Sequence, residues 1–150
     1  MKKYLLTFLI SMVPVVELRG AIPFGVAEGL PVGWAFVFAL IGNMIPVPFI
    51  IMFIRPVFKW LKSKSQWLAK IVHWFEAKAE RNKGKVLKYE FWGLMVLVAI
   101  PLPGTGAWTG ALVAAMMDMQ LKRALPAIFV GVIVAGIIVS LATMGIIAIV

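Results

Sequence analysis

Four apolar blocks divide the chain, at about residues 4–27, 33–54, 91–117 and 124–150, and they come in two kinds. Residues 34–54 carry no charge, although Asn43, Pro46 and Pro48 interrupt them, and residues 124–150 carry none either. Both are long enough to span a bilayer, which takes about 20 apolar residues. The other two blocks are broken. Residues 14–23 contain Pro14, Gly20 and Pro23 with Glu17 and Arg19 among them, and residues 98–110 contain Pro101, Pro103, Gly104, Gly106 and Gly110. Proline removes an amide donor and glycine loosens the helix, and such backbone survives at membrane depth only where protein buries it or a wet cavity receives it. Two interrupted segments in corresponding halves point to a transport site.

The halves resemble each other. Residues 14–27 align with 101–114 at an offset of 87, and Ala35 and Gly42 align with Ala124 and Gly131 at an offset of 89. If each broken segment enters and leaves on one side, each half crosses once and the halves have opposite orientation. The predicted fold is an all-α integral membrane protein of one domain, residues 1–150. It has two inverted repeats, each a re-entrant helical hairpin plus a transmembrane helix, at about 1–56 and 90–150. A basic amphipathic interfacial helix within about 57–89 joins them. In the last block Ala127, Gly131 and Ala135 recur every four residues, a spacing that favours close helix packing in lipid.

Trp60, Trp67 and Trp74 repeat every seven residues within a predicted helix over 57–81, followed by a loop through Asn82 and Gly84 to Tyr89. Tryptophans at the headgroup level with lysines reaching outward suit a membrane surface, and a cytoplasmic coiled coil is the alternative. Residues 55–88 hold ten basic side chains against Glu76 and Glu80, which is +8 of the chain's net +9. Charge lying between apolar segments reads as retention on the cytoplasmic side for residues 59–88, in a multi-pass protein of the plasma membrane. Charge counting does not decide the rest. Re-entrant loops leave Lys2 and Lys3 outside, whereas four full spans misplace Lys122 and Arg123.

Composition narrows the classes. The chain is 63% hydrophobic with a mean hydropathy of +1.01, which excludes an ordinary soluble domain. The apolar start lacks the small-residue cleavage site of a signal peptide, having Glu17 and Arg19 there. No cysteine and only His73 argue against disulfides and a transition-metal site. No phosphate loop, no nucleophile–base set and no nucleic-acid motif accompanies the charge, so neither enzyme activity, cofactor nor nucleic acid is expected.

Glu17 and Arg19 are costly within hydrocarbon, roughly 2.5 kcal/mol or more each, and should meet each other, a cavity or a partner. A direct pair at this spacing needs the non-helical backbone that Gly20 and Pro23 permit. Residues 101–110 offer Thr105, Thr109 and glycine amides that can converge into an anion-binding nest. Arg19 facing that nest would suit phosphate or carboxylate; a tight turn without ligand is the alternative. Trp108 flanks an apolar tail or anchors the loop, and Asp118 reads as a helix cap.

With Glu-Leu-Arg-Gly-Ala-Ile-Pro at 17–23, Gly42 and Asn43, and Pro-Leu-Pro-Gly-Thr-Gly-Ala-Trp-Thr-Gly at 101–110, the chain resembles the putative small multi-drug export protein family over essentially its whole length. That family is similar to the DedA (VTT-domain, SNARE-associated) superfamily. The resemblance implies paired re-entrant loops in inverted halves, with proton-linked transport or translocation of lipids such as polyprenyl phosphates. It places Glu17, Arg19 and residues 101–110 at the loop-tip motifs. The chain departs from the DedA pattern in having Thr105 where an acidic residue is expected.

The expected function is a small secondary transporter moving an amphipathic anion, such as a lipid phosphate, with protons. Arg19, Gly20, Pro101, Pro103, Gly104, Thr105, Gly106, Trp108 and Thr109 would bind substrate, and Glu17 would carry the proton. A proton-coupled exporter of cationic amphiphiles is the alternative, and a non-transporting membrane scaffold the third reading. Two spans and two loops make a thin wall for a pathway, so a homodimer or larger assembly among membrane lipids is expected.

Overall fold

The computed structural model describes residues 1–87, 90–101, 105–117 and 119–149, and among these it is entirely helical. In chain order the helices are α1 (Lys2–Met12), α2 (Glu17–Ala27), α3 (Val32–Met44), α4 (Pro46–Lys64), α5 (Gln66–Leu87), α6 (Glu90–Ala99), α7 (Ala107–Met116) and α8 (Leu121–Ile149). Pro46 and Pro48 bend the second apolar block at Ile45, so α3 and α4 form one bent run, Val32–Lys64. That run and α8 are long and apolar enough to cross a membrane. α1, α2, α6 and α7 are not. An 11-residue helix is about 16 Å long, roughly half the hydrocarbon thickness.

Alanines are prominent among the buried contacts, and many large apolar side chains lie on the outside. Ala21, Ala35, Ala39, Ala107, Ala111, Ala114, Ala124 and Ala127 are fully buried, while Phe49, Phe53, Trp34, Ile137, Leu141 and Ile146 face outward. Small residues let backbones approach closely, and large apolar side chains are left for lipid. The chain is a membrane protein with transmembrane helices.

Tyr4 near the start of α1 lies beside Phe38 in the middle of α3, with the rings 5.2 Å apart, and the later residues Phe8 and Ser11 lie against Gly42 near the end of α3. Those two helices therefore run parallel. Thr7 faces Gly25, and Lys3 lies near Gly29, so α2 returns antiparallel to α1. A methyl group on Gly42 would strike the Phe8 carbonyl and the Ser11 side chain; one on Gly131 would strike the Met95 carbonyl and the Val98 side chain, each at 2.7 Å. Phe8 and Met95, and likewise Ser11 and Val98, are 87 positions apart, and the two glycines 89.

Three expectations need correcting. The first break falls at residues 13–16, ahead of Glu17, whereas Gly20 and Pro23 lie inside α2. The helix expected over 57–81 is broken at Ser65, whose backbone is extended and whose Oγ accepts the Trp67 amide at 3.2 Å, capping α5. Trp60 therefore belongs to α4, and Trp67 and Trp74 to α5, although all three are exposed. Finally, α5 continues through Asn82 and Gly84, where a loop was expected. Lys62 at the end of α4 pairs with Glu76 of α5 at 2.7 Å and ties the two helices together. The expected cap Asp118 lies outside the described residues, as do Lys88 and Tyr89.

Candidate functional site

Breaking a helix in an apolar environment leaves carbonyls at one end and amides at the other without partners. Here the two breaks supply each other. Pro14 stops α1, and the chain turns through Val15 at φ 77° and Glu17 at φ 49°, a left-handed conformation that β-branched valine rarely adopts. The orphaned Met12 carbonyl accepts the Trp108 indole N–H at 3.2 Å. At the second break the Ile100 carbonyl accepts the Thr105 hydroxyl at 2.6 Å and the Arg19 Nη2 at 3.4 Å. Arg19 Nη2 also donates to Thr105 Oγ1 at 2.8 Å.

The first turn of α7 completes the arrangement. Its N-cap is Gly106, at φ 117°, which has no side chain to cap with. The Trp108 amide donates instead to Glu17 Oε1 at 3.0 Å. Glu17 is only 3% exposed, and the positive end of α7 favours its negative charge. At the other end of α7, Arg55 Nη2 donates to the Met116 carbonyl at 2.8 Å, matching the negative end of the dipole. A methyl group on Gly106 would collide with Glu17 Oε2 and come within 2.9 Å of Arg19 Nη2. Only glycine satisfies both that backbone and that approach.

Glu17, Leu18, Arg19, Asn43, Val98, Gly106, Ala107, Val132 and Ala135 surround one closed space with no room for a water molecule. The anion site expected at α7 therefore holds the chain's own carboxylate, and an external ligand can enter only if the hairpin tips separate. Of the expected site residues, Glu17, Arg19, Thr105, Gly106 and Trp108 converge. Trp108 anchors the loop rather than flanking a cavity. Gly20 sits inside α2 with its amide on the Val16 carbonyl, and Thr109 is buried in α7 away from the closed space. Pro101 adjoins Ile100 and is half-buried; Pro103 and Gly104 lie outside the described residues.

Asn43 is the residue that sequence reasoning passed over. It is 1% exposed, and its Oδ1 has no hydrogen-bond partner. An amide in an otherwise uncharged span was the available signal, but it read as an interruption and as part of the family resemblance, without a role at the site. Among the described residues no group of three His, Cys, Asp or Glu could hold a metal ion.

No curated protein and no solved structure matches the chain. Residues 17–138, which begin directly after the first break and include the second break and every contact between α2 and α7 described above, match one family. The chain belongs to the putative small multi-drug export protein family, a description that makes it, in general terms, a membrane transporter.

Proposed function

We infer that the chain is a small secondary transporter that moves an amphipathic anion, such as a lipid phosphate, together with a proton, without chemical change to the substrate. The observation that carries this reading is the Trp108 amide on the buried Glu17 carboxylate, with Arg19 alongside. In this reading Glu17 stands where the head group of the substrate would bind. A proton on Glu17 cancels its charge, weakens its hold on α7 and releases the Trp108 amide and the Arg19 guanidinium to an incoming anion. Anion and proton then cross together, so a monoanionic head group moves without net charge.

The same reading takes α1–α2 and α6–α7 as re-entrant hairpins from opposite sides in two inverted repeats. Their half-membrane lengths support it, as do the parallel course of α1 and α3 and the matching contacts of Gly42 and Gly131. Residues 59–88 then face the cytoplasm of a plasma-membrane protein. We also expect a homodimer or larger, because two spans cannot enclose a pathway.

The family description favours a second reading, a proton-coupled exporter of cationic amphiphiles in which drug and proton alternate on Glu17. Arg19 beside that carboxylate opposes a cation. Flux of a fluorescent anionic lipid and of a cationic dye into vesicles under a pH gradient separates the two. The anion reading predicts lipid flux lost in Arg19→Ala and partly kept in Arg19→Lys, which retains the charge but not the fork. Dye flux that survives Arg19→Ala and vanishes in Glu17→Gln would establish the second reading instead.

A further inference from the structure

Asn43 has no part in the contacts that join the two breaks, yet its position is tightly constrained. It follows Gly42, whose backbone is pressed against the Phe8 carbonyl and Ser11, so the last turn of α3 cannot shift to relieve it. Its carboxamide is buried and lines the same space as Glu17, Arg19 and Gly106, with Oδ1 unsatisfied. An orphaned buried acceptor is costly and calls for a donor that arrives in another state of the protein.

The geometry points to Asn43 as the other half of the proton site: its Oδ1 accepts the hydroxyl hydrogen of protonated Glu17. This inference rests on the proton-linked reading above. Ionised Glu17 needs donors, and the Trp108 amide supplies one. Protonated Glu17 needs an acceptor. Around the closed space Leu18, Val98, Ala107, Val132 and Ala135 offer no polar side chain, Gly106 has none, and Arg19 only donates. Asn43 Oδ1 is the one neutral side-chain acceptor lining that space among the described residues. Among the described residues lining that space, Arg19 on its own helix is the charged group that accompanies Glu17. α7 contributes the Trp108 amide, α8 contributes Val132 and Ala135, and the lysines of α1, Lys2 and Lys3, lie at its far end. Proton arrival therefore exchanges one partner for another, from the α7 amide to the α3 carboxamide, and so links protonation to the bend at Ile45.

The test is an infrared pH titration of the purified full-length protein in phosphatidylcholine vesicles. It follows the carboxylic C=O stretch that is present in the wild type and absent in Glu17→Gln. Asn43→Leu removes the acceptor at similar volume and should lower the midpoint of that band by about one pH unit, a tenfold loss of proton affinity, with the band moved to higher frequency. Asn43→Ala serves the same purpose should the leucine variant not fold. Asn43→Asp keeps an acceptor and adds a second acid, so its midpoint should not fall. A midpoint and band unchanged in Asn43→Leu or Asn43→Ala overturn the role of Asn43 while leaving a titrating Glu17 in place. No Glu17 band at any pH in the wild type overturns both this role and the proton-linked reading.

Discussion

Glu17 Oε1 accepts the backbone amide of Trp108 at 3.0 Å, across 91 positions of sequence, and caps a helix whose own N-cap residue has no side chain. The contact is local capping chemistry carried out at long range. It makes the carboxylate structural in the closed protein and, on our reading, the element that must let go during transport.

Removing the acceptor altogether should therefore be worse than removing its charge. Glu17→Leu leaves the Trp108 amide and the Arg19 guanidinium without that carboxylate, and should destabilise the protein by about 3 kcal/mol. Glu17→Gln keeps an oxygen for the amide and should cost about 1 kcal/mol. Reversible unfolding in mixed micelles measures both, and equal losses would contradict the capping role.

Gly106→Ala should force the tips apart. Its φ of 117° is strained for alanine, by about 1–3 kcal/mol, and the added methyl meets Glu17 and Arg19. Lower thermal stability is expected, together with faster labelling of a cysteine placed at Ala107, which is buried in the wild type.

Gly42 and Gly131 should behave as a pair. Each lies against a backbone carbonyl and a side chain of the half-length helix beside it. Gly42→Ala and Gly131→Ala should each lower the melting temperature clearly, whereas Gly33→Ala, with nothing within 4 Å of the new methyl, should not. Indifference at Gly131 would count against the repeat.

Cysteines at Leu5 and Val26, near the open ends of α1 and α2, should label from one common side of the membrane if the hairpin is re-entrant. A reporter near Lys83 should prove cytoplasmic. Labelling of Leu5 and Val26 positions from opposite sides would mean a full span.

Much of this arrangement was legible in residue pattern. Pro14 and Pro101 located both breaks, and the charge pair inside an apolar block pointed to a buried role for Glu17 and Arg19. The extent of the first break was not legible, because Pro23 reports a missing amide but not whether the chain turns there. The tryptophan repeat concealed the break at Ser65, since seven-residue spacing persists across it. Helical periodicity also carries no information on contacts 81 to 96 positions apart, so the exchange of partners between the breaks emerged only in three dimensions. For the same reason Asn43 carried no site role in the sequence reading, since nothing there placed it in the same space as Glu17.

The most direct test of the transport role is flux of anionic lipid through reconstituted, folded protein carrying Glu17→Gln together with Arg19→Gln. A merely structural pair should tolerate this change, since no unpaired charge remains buried. Our account predicts that the double variant folds and that its flux falls to the level of protein-free vesicles. Wild-type flux in that variant would contradict it.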